Sequence, residues 1–389
     1  MIRVSLIGGA LALSVGAAAA LRAAYHQEVL ISGAEHDSLR PGPDSARVVR
    51  LLDALGKTDP LVCEMLADQV GNFWTNEGST GIGRFADAAR ALYNAKDSLA
   101  GHASDPAAIR VMVANLGVPN SCVRRVASKL LGRSRVTTDR LVELMRDRSP
   151  LVREAAAYAA GTGDRKEARG SLTRLLDAGT GAEAAIAAWA LGEIEDTASI
   201  PALGRASRSA DVRVRAASVW ALGSIGDERA LADVDRALRS DANSDVRREA
   251  AHALGEIGSV RSASTLAGAL DDASVVVRYA AAEALSDLND LERAPEQLVR
   301  AARSPDPRLR KAAARALAEI HDPATVDVLI GLLSSDDRDT RLAIVEALGE
   351  IKSAKAQPGL LRALKDPDPE IRRAAAEALG EMREGKGTS

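Results

Sequence analysis

Asp368-Pro369-Glu370-Ile371-Arg372-Arg373-Ala374-Ala375-Ala376-Glu377-Ala378-Leu379-Gly380 holds the start, the face and the close of one helix. The short carboxylate of Asp368 suits an N-cap, because its oxygens accept the amides that a first helical turn leaves unpaired. Pro369 follows at the helical position where a missing amide costs little. Ile371, Ala374, Ala375 and Ala378 lie three and four apart and draw an apolar stripe of mostly small side chains. Leu379 adds bulk, and Gly380 permits close packing or an early stop.

The phrase returns along the chain. With Arg372 as its anchor, matching arginines stand at Arg124, Arg153, Arg215, Arg247, Arg278, Arg310 and Arg341, and Ala184 takes the place of one. The steps between them are 29, 31, 31, 32, 31, 32, 31 and 31 residues. A fixed period of this size marks a repeat architecture. Four residues before each anchor stands a capping residue: Asn120, Ser149, Thr180, Asp211, Asn243, Ser274, Asp306, Asp337 and Asp368. Leu-Gly closes most copies, as in Leu191-Gly192 and Leu254-Gly255. Second helical patterns lie between the phrases, such as Leu231 through Val234 to Leu238. Each unit is therefore a helix pair, too small to bury a core by itself, and neighbouring pairs must stack. The expected fold is all-α, a right-handed α-solenoid of stacked helix pairs with a period of about 31 residues.

Val/Ile-Arg-x-Ala-Ala-x-x-Ala-Leu-Gly behind a capping Asp resembles the HEAT-like repeats of the phycobilisome lyase type, over roughly residues 44 to 382. The resemblance implies that the second helix of each pair lines a concave side. It also implies that the anchor arginines tie adjacent units together, and Ala184 then marks a joint without its tie. About function the repeat itself is nearly silent.

Before the repeats, Arg3 is followed by the uncharged stretch Val4 to Leu21 with Ala17 to Ala20 near its end. Residues 1–20 read as a signal peptide for export to the periplasm or the cell exterior, the rival being an uncleaved membrane anchor over 4–21. Residues 21–43 read as a linker, 44–119 as divergent N-terminal helical units, 120–382 as regular repeats and 383–389 as a tail. Within the divergent part, Asp59-Pro60-Leu61-Val62-Cys63 repeats the phrase with Cys63 in place of Arg, and Gly71 to Gly83 form a glycine-rich loop around Phe73 and Trp74. That loop lacks the lysine of a nucleotide-binding loop and follows no strand. Cys63 and Cys122 make an even count in an exported chain. Two stacking steps of about 10 Å separate them on a regular solenoid, too far for a bridge. The expectation is that they stay unpaired.

Composition narrows the function. The 389 residues are 46% hydrophobic but only 2% aromatic, so the core is built from small aliphatic groups. A net charge of -3 provides no field for nucleic acid or an anionic membrane, and membrane contact is left to the N-terminal segment alone. His26, His36, His102, His252 and His321 are scattered and form no His-Glu dipeptide, which speaks against the iron chemistry of the HEAT-like deoxyhypusine hydroxylases. No cofactor and no metal site is expected, and a lyase- or hydroxylase-like enzyme is the alternative reading.

The position five residues after the anchor is Lys129, Tyr158, Trp189, Trp220, His252, Glu283, Arg315, Glu346 and Glu377, too polar in most copies for a core. It shares a helical face with the ninth position, which carries Glu193, Glu256, Asp287, Glu319, Glu350 and Glu381. This stripe is expected to point outward. Tyr158, Trp189, Trp220 and His252 then form a ladder of rings about 10 Å apart, beside an acidic rail that Arg248, Lys311 and Arg373 partly neutralise. A protein or peptide partner, gripped by rings and acids along the concave face, is the function these residues point to.

Overall fold

Each of the nine phrases from Asn120 onward folds as one α-helix with its capping residue at the start. The computed structural model describes residues 45–57, 104–288, 291–320 and 322–384. Cys63, the glycine-rich loop with Phe73 and Trp74, His321, residues 1–20 and the linker lie outside them. Among the described residues the structure is helical, with no strand.

Two helices come before the regular pairs, α1 (Ser45–Gly56) and α2 (Pro106–Ala114). The phrase helices are α3 (Ser121–Gly132), α5 (Pro150–Thr162), α7 (Gly181–Glu193), α9 (Val212–Ile225), α11 (Ser244–Ile257), α13 (Val275–Ser286), α15 (Pro307–Glu319), α17 (Arg338–Glu350) and α19 (Pro369–Glu384). Their alternating companions are α4 (Thr138–Leu144), α6 (Arg169–Ala178), α8 (Ile200–Ala206), α10 (Leu231–Ser240), α12 (Ala263–Ala269), α14 (Glu296–Ala301), α16 (Val326–Leu332) and α18 (Gln357–Ala363). Contacts divide the chain into two bodies, the first ending at Asp233 and the second starting at Val234.

Within the first body α5 packs on α3 and α7, and α7 on α9; within the second α11, α13, α15, α17 and α19 pack in that order. Each body is thus an all-α solenoid of stacked pairs. The leucine seven residues after the anchor is the fixed point of each layer: Leu131, Leu191, Leu222, Leu254, Leu285, Leu317 and Leu348 are wholly buried. The alanines around it bring the phrase helices close. A β-carbon on Gly192 would lie 2.8 Å from the Cα of Ala221 and 2.7 Å from the ring of Trp220, so this joint admits only glycine without a shift.

All nine capping residues stand at helix starts, but two use no side-chain oxygen for the purpose. Asn120, Asp211, Asn243, Asp306, Asp337 and Asp368 accept amides of the first turn. Thr180 works through a capping box with Glu183. Ser149 and Ser274 make no such bond. At Ser149 the next residue is Pro150, which removes one of the amides to be capped.

The N-terminal packing overturns the expectation about cysteine. Cys122 is buried and joined in a disulfide; the chain's other cysteine is Cys63. Counting two regular stacking steps between the two was the error. α1 packs directly on both α2 and α3, and a β-carbon on Gly56 would touch the Val123 side chain at 3.9 Å. Asp105 holds this arrangement, capping α2 at Ala107 while accepting the Ser45 amide from the start of α1. The residue that ends α1 is therefore beside the start of α3, not two layers away.

Candidate functional site

The anchor arginines share one geometry. In each of Arg124, Arg153, Arg215, Arg247, Arg278, Arg310, Arg341 and Arg372, Nη1 donates to the carbonyl six residues earlier, at 2.7–3.0 Å. The same nitrogen donates to the carbonyl five residues earlier, at 2.8–3.3 Å. Those carbonyls close the loop from the companion helix, so the first duty of the anchor is to its own unit. Three of these anchors also reach the next unit. Arg247 forks onto Asp272 at 2.8 and 2.9 Å, Arg341 onto Asp366 at 2.8 and 3.2 Å, and Arg153 reaches Glu183 at 2.5 Å.

A second regularity, which the sequence reading passed over, supplies the acceptor where the fork forms. Six residues before the anchor stands Asp or Ser in seven units: Asp147, Ser209, Asp241, Asp272, Ser304, Ser335 and Asp366. Each accepts the amide of the capping residue at 2.7–3.3 Å. An aspartate there has a second oxygen for the preceding unit's guanidinium, as Asp272 and Asp366 show, and a serine has not. The side-chain bond from Arg247 holds the Asp272 carboxyl below the usual carboxylate range despite burial. The recurrence was visible at the same period as the arginines.

In the unit of Ala184 both members of this clamp are missing, since Ala178 stands at the sixth position before it. Glu183 serves instead. Burial disfavours its charge, but the bonds from Arg153 and from Thr180 outweigh that and lower its pKa. The joint from α5 to α7 is thereby kept, and the one from α7 to α9 has no anchor pair. Two clefts flank this loop. One, about 510 Å³, is lined by Met145, Arg153, Arg174, Leu175 and Glu183 among others. The other, about 410 Å³, lies beside Ala184 against Leu176, Asp177, Gly179, Asp211 and Val214.

The rings do not form an open ladder. Tyr158 and Trp189 stack with centroids 4.7 Å apart and planes at 14°, less than half the expected spacing, because long side chains lean across the gap between helices. Trp189 lies over Gly161 and Trp220 over Gly192, where the absence of a β-carbon makes room for the ring. All three rings are half-buried, and Lys129, expected to point outward, is buried. The aromatics are a packed wall of the first body. His252, Glu283, Arg315, Glu346 and Glu377 are exposed and belong to the second.

The acidic residues occupy an electrostatically costly place. Glu256, Asp287, Glu319 and Glu350 lie at the C-terminal ends of α11, α13, α15 and α17, and none of these helices has a basic residue in its last turn. A helix C-terminus is the negative end of its dipole, where cations are favoured and each carboxylate costs about 0.3–1 kcal/mol. Of the bases on the same face, Lys311 pairs with Asp339 at 2.8 Å, Arg248 with Asp245 at 3.4 Å and Arg373 with Glu377 at 3.9 Å. Burial pushes the Asp287 carboxyl up to about 6, against a bond from Ser286, and the charges of Glu283 and Glu319 push it the same way. Among the described residues no three His, Cys, Asp or Glu side chains gather as metal ligands, and no helix is long and apolar enough to cross a membrane.

Stacked helix pairs joined by capped loops and arginine clamps define an α-solenoid of repeats. The family profile of HEAT repeats matches residues 171–255, 236–310, 270–347 and 330–388, and the chain belongs to that family. In fold it is similar to importin beta, with a TM-score of 0.56 and 15% identity over 94% of this chain and 54% of that one. An engineered protein is 22% identical over 87% of this chain and 99% of its own, with a TM-score of 0.47. The complex of CpcE and CpcF of phycocyanin lyase from Nostoc sp. PCC7120 is 19% identical over 64% of this chain and 95% of that one, with a TM-score of 0.37. No curated protein matches the sequence.

Proposed function

We propose that the protein is an exported, non-catalytic scaffold that holds an extended basic segment of a partner protein against the acidic ends of α11, α13, α15 and α17. The observation that carries this reading is the repeated placement of Glu256, Asp287, Glu319 and Glu350 at helix ends where the backbone disfavours them. A stability cost taken in register on consecutive helices is what a binding surface requires and a merely soluble surface does not. Steps of about 10 Å match the reach of roughly every third residue of an extended chain. Export is supported by the segment Val4 to Leu21 and by the disulfide at Cys122, since such bonds persist in oxidising compartments.

The test is fluorescence anisotropy of a labelled Lys/Arg-rich peptide of about a dozen residues, with an acidic peptide as control. Affinity for the basic peptide that falls with salt, and falls at least tenfold in Glu256→Gln/Glu319→Gln/Glu350→Gln, supports the reading. Equal affinity of variant and wild type refutes it. A visible chromophore or stoichiometric metal in the purified protein would favour the enzyme alternative. N-terminal sequencing of protein recovered from outside the cytoplasm tests export.

A further inference from the structure

In eight units an arginine side chain runs from the anchor position to the carbonyls of its own loop, and in three of them it also reaches the next unit. In the ninth, the anchor position is Ala184, and the cleft of about 410 Å³ lies beside it. Its lining follows the same plan. Ala184, Leu176 and Val214 supply the apolar floor on which the methylene stem of an arginine would lie. Gly179 and the end of α6 supply the near wall, and Ser209, Ala210 and Asp211 of the next loop supply the far one.

The acceptors are also in place. The carbonyls six and five residues before the anchor belong here to Ala178 and Gly179; Gly179 lines this cleft, and Ala178 lies at its border with the neighbouring one. In the eight other units the equivalent carbonyls each take a bond from the guanidinium. Among the described residues no protein donor reaches those of Ala178 and Gly179. Asp177 and Asp211 stand at the rim with their own arginines, Asp177 with Arg205 at 3.4 Å and Asp211 with Arg213 at 2.7 Å. The Arg205 pair is long and at least half exposed on both sides, so it yields readily to a better-placed cation. The Asp211 carboxylate crosses Gly181, where any β-carbon would collide with it.

We infer that this cleft is a binding site for a guanidinium group presented from outside, the arginine side chain of a partner protein, which completes the clamp that the chain leaves open at Ala184. At Arg247, Nη1 meets the loop carbonyls while Nε and Nη2 of the same plane reach the next loop, a division that a guanidinium offers and the hydrated point charge of a lysine ammonium does not. The site lies wholly in the first body and owes nothing to the acidic helix ends of the second, so the two readings stand or fall separately.

The experiment is calorimetric titration of the full-length protein with Nα-acetyl-arginine amide, beside its citrulline and lysine counterparts. The citrulline compound keeps the shape and loses the charge. Expected is a dissociation constant on the order of 1 mM for the arginine compound, at least tenfold weaker binding of the other two, and at least a tenfold loss in Ala184→Arg, whose own side chain fills the cleft. Circular dichroism checks that this variant is folded. If it is not, Ala184→Met, which fills the floor with an uncharged chain, is read instead. Glu256→Gln/Glu319→Gln/Glu350→Gln is expected to bind the arginine compound as wild type does. No binding by wild type, equal binding by the filled variants, no preference over citrulline, or loss in the triple glutamine variant each overturns the assignment.

Discussion

The first body and the second are built from one phrase and display different surfaces. In the first, the fifth position carries Tyr158, Trp189 and Trp220, of which the two tryptophans fold over glycines of neighbouring helices and Tyr158 stacks on Trp189, and one unit has lost its clamp. In the second, the clamp arginines are all present, two of them fork onto the next unit, and the helix ends carry acids. The buried leucines are the same in both. The difference teaches that stacking is settled by a few small and apolar positions, which leaves the outward positions and the loop residue six before the anchor free to specialise each body.

The comparison breaks most sharply at the disulfide. Cys122→Ser is expected to lower the stability of the first body by about 2–4 kcal/mol, since the bond restrains some 60 residues of unfolded chain, and to leave the second unchanged. Hydrogen exchange resolved along the sequence checks both halves of that statement. Next comes the clamp of the second body. Arg247→Ala removes a fork onto the nearly buried Asp272 and is expected to cost about 3 kcal/mol in urea unfolding. Arg278→Ala, which loses only loop carbonyls, is expected to cost about 1 kcal/mol. Equal losses would mean that the inter-unit fork contributes nothing.

Smaller effects refine the contrast. Asp287 is an acid of the second body whose folded pKa lies near 6, above the value of about 3.9 in an unfolded chain. Between those values the native state keeps the proton that the unfolded chain releases, so stability falls as pH rises from 4 to 6 and stays lower above it. Asp287→Asn is expected to flatten that fall and to gain about 1–2 kcal/mol at pH 7.5, read from unfolding at a series of pH values. Glycine substitutions carry the smallest changes and opposite signs. Gly192→Ala forces a β-carbon against Ala221 and Trp220 and is expected to cost about 1 kcal/mol net of its better helix propensity. Gly268→Ala, in open space on α12, is expected to gain about 0.5 kcal/mol, both by thermal unfolding.

Much of the fold was legible because its rules are local. An oxygen four residues before the anchor, a proline after it and a leucine seven beyond act within two or three turns of one helix, and the period repeats them until they cannot be missed. The surface was less legible. Nothing in the spacing of Tyr158 and Trp189 says that their rings meet at 4.7 Å, since that depends on how far two helices approach and which way the side chains lean. The Asp or Ser before each loop was readable at the same period but was not read, because its partners are backbone amides and the previous unit's arginine.

The sequence by itself determined that this protein is a stack of capped helix pairs of about 31 residues, with small side chains between them. Tertiary structure alone decided the rest. It showed that an anchor arginine serves its own loop first, that α1 lies beside α3 so that Cys122 is bridged, and that Ala184 faces a cleft. The reason is physical: capping and periodicity are set by neighbours in the chain, whereas the reach of a guanidinium, a ring or a sulfur is set by the distance between helices.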